Sequence, residues 1–552
     1  MNKNSKVVFG GIIGVVILIV ILIFSFISSV IKKGSVIENK SLEELVSTIN
    51  VTEKTPVKAS VSLDDTNLYD ELPEIEKYPL SIEGKSDVNI EVFSSGEKAG
   101  SDYESWLVDV INSFNSSGIK LSSGENVSVS LRQMSSGLGA DYISSGKYCP
   151  DLYTPSNSLF GEYVAANGGN LTVINEKLIE NTAGVLVKKN SGLKSFEDVV
   201  KAVKDNKLNL GYTNPQTSAS GLNFLLTFLN NENASDMFGD ATAKSFSDFQ
   251  NNIPFVAYTT MQMRDSAKNG SLDGMIMEYQ TYVNDKDLKG NYEFIPYGVS
   301  HDNPLYAVNY DNMDANKKEA IDLFNQFCMS ADSQDLAKEK GFNNDLGYSS
   351  DLSFTSSDVS QALHLYKLNK DSGKDIIAVF VADVSGSMDG EPINQLKQSL
   401  INGSKYINEN NMVGLVSYSS DVNIEVPIAK FDLNQRAYFQ GAIENLSAVG
   451  GTASYNAVLV ACDMIKKAKV DNPDAKVMLF LLSDGYANDG YTLENITGVL
   501  KDEKIPVYTI SYTSEADTEA MKKLSDINEA ASINADSDDI IYKIKSLFNS
   551  QM

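Results

Sequence analysis

The chain has 552 residues with 46 Lys+Arg against 73 Asp+Glu, a formal net charge of -27. That length calls for at least two folding units. A composition of 42% hydrophobic and 22% charged residues excludes a wholly disordered, collagen-like or polytopic membrane chain, and the acidic balance opposes binding to nucleic acid. Two histidines, His301 and His364, and three cysteines, Cys149, Cys328 and Cys462, leave little material for Ser/His/Asp catalysis, a zinc centre or a disulfide scaffold. Any metal would sit on oxygen. A Cys149–Cys328 bridge and isolated buried thiols both remain open.

From Val7 to Ile31 no residue is charged. As a helix rising about 1.5 Å per residue, this run exceeds the roughly 30 Å hydrocarbon core of a bilayer. The expectation is a cytoplasmic N-terminus at 1–6 and a transmembrane helix at 7–31. The alternative is a cleaved signal peptide, whose apolar region normally spans about 7–15 residues. Lys3 and Lys6 on one side nearly balance Lys32, Lys33 and Lys40 on the other, so charge alone does not orient the segment. The acidic body resembles exported protein, which places it outside the cell. Residues 34–84 read as a tether, with a helical pattern around Ser41–Ile49 and Pro73 and Pro79 as breakers.

Residues 85–350 alternate strand-like runs with loops rich in Ser, Asn and Gly. Asn89–Phe93 leads into Ser94-Ser95-Gly96 and a helix carrying Trp106, read as core. Val127–Leu131 leads into Ser135-Ser136-Gly137, and Asp151–Pro155 into Ser156-Asn157-Ser158. Strands that end in small polar loops at helix starts present free N–H groups and a positive dipole end, suited to anions or polar solutes. A second lobe opens near Gly184–Val187 and holds Asn214 to Gly221 before the apolar helix Leu222–Leu229, then Leu272 to Tyr279. The chain returns to the first lobe near Val299–Val308.

This order resembles the type II periplasmic solute-binding proteins, two α/β lobes joined by two crossovers. The resemblance implies a cleft formed by Ser94, Ser95, Ser136, Asn157, Ser158, Thr217, Ser218 and Glu278. For the Ser, Thr and Asn residues a capping or turn role is the alternative, because these side chains favour local hydrogen bonds.

After a linker at 351–374, residues 375–552 alternate apolar runs and amphipathic stretches, the pattern of a parallel sheet covered on both faces. Strands are expected at Ile376–Ala382, Val413–Tyr418, Val477–Ser483 and Val507–Ser511. Val422–Ile428, which contains Pro427, suits an edge. Helices are expected at 392–409, 433–446, 453–468, 493–502, 516–525 and 538–549. Three loops carry oxygen donors: Asp383-Val384-Ser385-Gly386-Ser387 and Ser483-Asp484-Gly485 at strand ends, and Gly450-Gly451-Thr452 just before a helix. Carboxylates and hydroxyls favour hard cations. Polar turns without metal are the alternative.

In that order the loops resemble the metal-ion-dependent adhesion site of the von Willebrand factor A domain. The resemblance implies Asp383, Ser385, Ser387, Thr452 and Asp484 as ligands of Mg2+ (or Mn2+/Ca2+). The expected fold is α/β: a two-lobed solute-binding-like domain plus a doubly wound, Rossmann-like A domain, preceded by one transmembrane helix. The whole arrangement resembles a family of bacterial membrane proteins. That likeness implies architecture more than activity; from the apolar run and the oxygen-donor loops, the expectation is a single-pass, membrane-anchored extracellular protein whose A domain captures an acidic group on a partner protein. The alternative is solute capture for transport or signalling, with the A domain recruiting a membrane partner. No Walker loop, nucleophile elbow or zinc signature is present. Asp151, Asp273 and Glu278 are the only formal route to a carboxylate hydrolase, so a non-enzyme is expected.

Overall fold

The computed structural model describes residues 40–61, 68–253, 255–257, 260, 263–264, 272–370, 375–484, 486–511, 517–528, 530 and 532–534. The N-terminus 1–6, the apolar run 7–31 and the helix expected at 538–549 lie outside the described residues. Among the described residues, no helix is long and apolar enough to cross a membrane.

After a short strand β1 (Val51–Glu53), the chain builds a two-lobed unit. The first lobe opens with β2 (Val88–Ser94), β3 (Val127–Gln133), β4 (Leu152–Thr154) and β5 (Leu171–Asn175). The second follows with β6 (Ala183–Lys188), β7 (Leu210–Thr213), β8 (Phe255–Ala257), β9 (Gly274–Glu278) and β10 (Tyr292–Pro296). The chain then returns to the first lobe with β11 (Leu305–Val308). The sheet orders are β3-β2-β4-β11-β5 and β10-β6-β9-β7-β8. The two crossing segments are stitched where Asn181 and His301 exchange backbone hydrogen bonds of 2.9 and 3.0 Å. Val88, Ile90 and Val92 of β2 join a buried cluster with Trp106, whose indole N–H donates to the Ser333 carbonyl at 2.8 Å, so Trp106 is core as expected. The cysteines are free thiols, Cys328 and Cys462 buried and Cys149 exposed.

Neither connecting stretch is a free tether. The helix Leu42–Val46 starts at a Ser41/Glu44 capping box, and Leu42 and Leu45 are buried among residues of the C-terminal domain. Strand β1 pairs in parallel with the C-terminal sheet, Val51 opposite Val422 and Glu53 opposite Ile424. Residues 57–60 then strap across the helix Leu433–Glu444: the Ala59 amide donates to the Ala437 carbonyl at 2.9 Å, and Lys58 Nζ to Asn434 Oδ1 at 2.8 Å. Farther on, Leu72 and Ile75 enter the core of the lobes, and the Tyr142 hydroxyl donates to the Pro73 carbonyl at 2.7 Å. The expected linker forms the helix Ser356–Asn369. Its Val359, Ala362, Leu365 and Tyr366 are buried, and it packs on the helix Leu159–Ala166 of the first lobe and on Ala219–Asn233 and Asp240–Gln250 of the second.

The C-terminal sheet uses β12 (Ile376–Asp383), β13 (Met412–Tyr418), β14 (Val422–Lys430), β15 (Lys476–Ser483), β16 (Val507–Ser511) and β17 (Ser532–Asn534). Their order is β1-β14-β13-β12-β15-β16-β17, with β14 alone antiparallel to its neighbour β13. Strand β12 shows why the run IIAVFVAD becomes a central strand: side chains alternate across a pleat, and both faces are covered. Ile376, Ala378, Phe380 and Ala382 pack under the helices Glu391–Ser404 and Leu433–Glu444. Ile377, Val379 and Val381 face Ser454–Asp471 and Leu493–Glu503. The expectation that β14 forms an edge needs correction, since β1 flanks it over Val422–Ile424. Pro427 lies past that pairing, in the stretch where the β13 register shifts, so its missing N–H interrupts no ladder there.

Candidate functional site

Strands β12 and β15 run parallel and adjacent, and the sheet order reverses between them, with β13 and β14 on one side and β16 and β17 on the other. Loops leaving such a switch point diverge and open a crevice at the strands' carboxyl ends. Asp383 ends β12, and Asp484 follows Ser483, the last residue of β15. The Ser385 amide donates to Asp383 Oδ1 at 2.8 Å, while Asp383 Oδ2 accepts from the hydroxyls of Tyr418 at 3.0 Å and Ser483 at 2.7 Å. The hydroxyls of Ser385 and Ser387 lie 3.0 Å apart, and Ser387 donates to Asp484 Oδ1 at 3.0 Å. Asp383, Ser385, Ser387 and Asp484 thus form one hydrogen-bonded chain.

Thr452 is carried on a loop fastened to the same place. The Val449 amide donates to the Val384 carbonyl at 2.8 Å and the Gly386 amide to the Gly450 carbonyl at 3.0 Å, and the Thr452 amide donates to Asn488 Oδ1 at 2.9 Å. Gly450 sits at φ +86, a left-handed turn that favours glycine. Burial raises the pKa of Asp383, against the pull of its donors. Asp484 is raised by burial and then by the negative charge of Asp383. Two buried carboxylates that disfavour each other's charge, with hydroxyls between them, fit a hard divalent cation. Among the described residues no three His, Cys, Asp or Glu side chains converge as a metal group, so a cation here would depend on the hydroxyls. Tyr418 is a supporting residue the motifs did not name, and Ser483, part of the third loop, was not among the expected ligands. Both stand at carboxyl ends of expected strands, which is the signal that could have found them.

The other site lies between the lobes, which touch. The Gly137 amide donates to the Thr217 carbonyl at 3.1 Å, Gln280 Nε2 to the Tyr103 carbonyl at 2.8 Å, and Arg264 reaches the Tyr103 hydroxyl at 2.8 Å and Glu104 at 3.1 Å. Between the lobes lies a partly open cavity of about 60 Å³ lined in part by Ser95, Ser136, Thr217, Ser218 and Glu278. Ser218 also caps the helix Ala219–Asn233, so its capping role holds as well.

The remaining three expected cleft residues are directed elsewhere. The Ser94 hydroxyl turns to the Ser95 carbonyl, and Ser158 is exposed. Asn157 donates to the Ala219 carbonyl at 3.2 Å and lies 3.1 Å from His301 Nε2. Asn223 of the second lobe approaches the same nitrogen at 3.3 Å. His301, which has no evident partner in the sequence, is therefore a buried hinge residue, and burial lowers its pKa to about 4.

Sequence reasoning missed Glu97, Glu104 and Arg264 in the cavity lining. Arg264 carried a usable signal, as one of only three arginines in the chain. Lys98 is fully buried behind the lining, with Nζ 2.6 Å from Ser95 Oγ, 3.0 Å from the Thr154 carbonyl and 3.3 Å from Glu97. Burial raises Glu97, but the charge of Lys98 and the hydroxyl of Ser95 outweigh it and hold the carboxyl below its usual range. Asp151 pairs with Lys317, and Asp273 pairs with Lys188 at 2.8 Å at the opposite end of β9 from Glu278. These three carboxylates form no common site. A wider cavity of about 370 Å³ lies under the strap, lined in part by Lys54, Val57, Val384, Glu425 and Val449.

Among known proteins, the inter-alpha-trypsin inhibitor heavy chain H1 of Mesocricetus auratus is 25% identical over 159 residues, covering 27% of this chain and 17% of that one. The chain thus spans less than a fifth of that relative's length. Among solved structures, a von Willebrand factor type A protein from Catenulispora acidiphila is 17% identical over 32% of this chain and 42% of that one, with a TM-score of 0.29. The sulfate-binding protein SubI from Mycobacterium tuberculosis is 16% identical over 51% of this chain and 91% of that one, with a TM-score of 0.34. Family profiles match at residues 99–343 and 378–548. The chain carries a bacterial extracellular solute-binding domain followed by a von Willebrand factor type A domain.

Proposed function

We propose that this is a non-enzymatic, membrane-anchored extracellular binding protein whose A domain captures an acidic group of a partner protein at a divalent-cation site, formed by Asp383, Ser385, Ser387, Thr452 and Asp484. The observation that carries the reading is the hydrogen-bonded chain from Asp383 through Ser385 and Ser387 to Asp484 at the switch point. Mg2+, Mn2+ or Ca2+ suits such an oxygen set and supplies a Lewis-acid position for a carboxylate from outside. Tyr418 and Ser483 orient Asp383, and the fastened loops fix the hydroxyls before any partner arrives. The uncharged run 7–31 supports the anchor.

The test is calorimetric titration of the full-length chain with each cation, followed by partner capture with and without EDTA. Saturable uptake that Asp484→Ala removes, with EDTA-sensitive capture, is the expected result. Absence of uptake for all three cations would refute the reading. A second reading, solute capture by the lobes, is supported by the cavity between them and its many Ser and Thr side chains. It predicts solute binding that survives EDTA and Asp484→Ala.

A further inference from the structure

We infer that the cavity between the lobes takes a small solute bearing a protonated amino group, received by Glu278, and not an oxyanion. This rests on reading that cavity as a ligand site. Among the described residues of its lining, nine of fourteen are Ser or Thr, and none of these fourteen carries an aromatic ring, so a quaternary ammonium seeking ring faces is poorly served by them. The charges decide the sign. Glu97 is matched by Lys98 and Glu104 by Arg264, whereas Glu278 has neither cation as its partner. Its Oε1 accepts from the Ser220 hydroxyl. The Thr260 hydroxyl lies near the carboxyl, but Oε2 meets no donor at full hydrogen-bond geometry, although the residue is only 3% exposed.

A buried acceptor without a donor is unfavourable until something supplies one. An ammonium group brings three donors and no acceptor, matching one bare carboxylate oxygen among hydroxyls. Among the described lining residues a dianion of similar size would face three carboxylates, with the guanidinium of Arg264 already engaged. Burial, reinforced by the charge of Glu97, raises Glu278 to about 7, as expected for a carboxylate whose countercharge arrives with the ligand. The three carboxylates do not converge as a metal group among the described residues, which disfavours a bare metal ion.

The test is calorimetry on the full-length chain in detergent micelles, titrated with ammonium, methylammonium and ethanolammonium chlorides, and separately with sodium sulfate and sodium molybdate over a sodium chloride control. Saturable binding of at least one amine, weakened tenfold or more by Glu278→Gln and severalfold by Ser220→Ala, is expected. Binding of sulfate or molybdate but no amine would overturn the inference while leaving the cavity a ligand site. Binding of neither class would overturn both. Amine binding unchanged in Glu278→Gln would place it elsewhere and overturn the assignment.

Discussion

Replacing Gly137 by Ala tests whether the lobes close as the structure shows. A Cβ at this position would stand 2.2 Å from the Gln216 carbonyl oxygen and 2.6 Å from Thr217 Cα, far inside the ~3.5 Å of an ordinary contact. The obstacle is backbone of the opposite lobe, so no side-chain rotation relieves it. Relief requires the lobes to part, which also breaks the bond from the Gly137 amide to the Thr217 carbonyl. Overpacking costs about 1–3 kcal/mol and the lost hydrogen bond about 1 kcal/mol. Together they favour the open form by about 2–4 kcal/mol, a shift of roughly 30- to 1000-fold. Hydrogen exchange read by mass spectrometry on peptides covering 134–140 and 214–221 should show protection falling by that factor. Gly290→Ala, where an added Cβ meets nothing within 4 Å, is the control within the second lobe. Unchanged exchange in Gly137→Ala would refute the closed geometry.

Other perturbations address separate parts of the molecule. Gly441→Ala puts a Cβ 1.9 Å from the Val57 carbonyl; exchange in residues 54–60 should rise and the A domain should lose about 1–3 kcal/mol in denaturant titration. Lys98→Met leaves Glu97 buried without its cation, and a loss of about 3–5 kcal/mol is expected in the unfolding of the lobes. His301 has a folded pKa of about 4 against an ordinary 6.5, so folding excludes its proton. Its contribution is complete above pH 6.5 and is lost as pH falls toward 4, about 2–3 kcal/mol between pH 7 and 4.5. The difference in urea stability between wild type and His301→Gln should shrink correspondingly over that interval. Glu278 works in the opposite sense: its folded pKa of about 7 stands above 4.5, so its contribution is present below pH 4.5 and lost as pH rises through 7, and Glu278→Gln should remove that slope. Asp383→Ala strands the donors Tyr418 and Ser483 and should cost about 1–3 kcal/mol besides cation uptake.

The central strands β12 and β15 were legible because each is a nearly continuous apolar run, buried along most of its length, whereas β17, Ser-Ile-Asn, is too short and polar to be expected. Two of the cation loops were legible because their donors sit at the ends of such runs, and the third because Gly450-Gly451-Thr452 stands just before the helix Ser454–Asp471. Strand β1 was not: Val-Thr-Glu is three residues with one apolar side chain, and its partner Val422 lies 371 positions away. The cleft was half legible. Hydroxyls at helix starts pointed to Ser95, Ser136 and Thr217, but the same preference drew in Ser158, a surface residue, and Asn157, which belongs to the hinge. Glu97 and Glu104 sit in ordinary acidic stretches, and only the approach of the second lobe makes them part of a cavity.

The participation of β1 and the helix Leu42–Val46 in the C-terminal sheet makes the solute-binding unit an insertion, entered and left through one host domain. Expressing residues from 375 onward would yield a sheet stripped of one border, with the outer side of β14 open to self-association and the seats of Leu42 and Leu45 vacant. Dissecting the protein therefore calls for excision from the middle, joining the strap near residue 61 to Asp375 through a short bridge. Severing the chain in two would damage the piece it was meant to isolate.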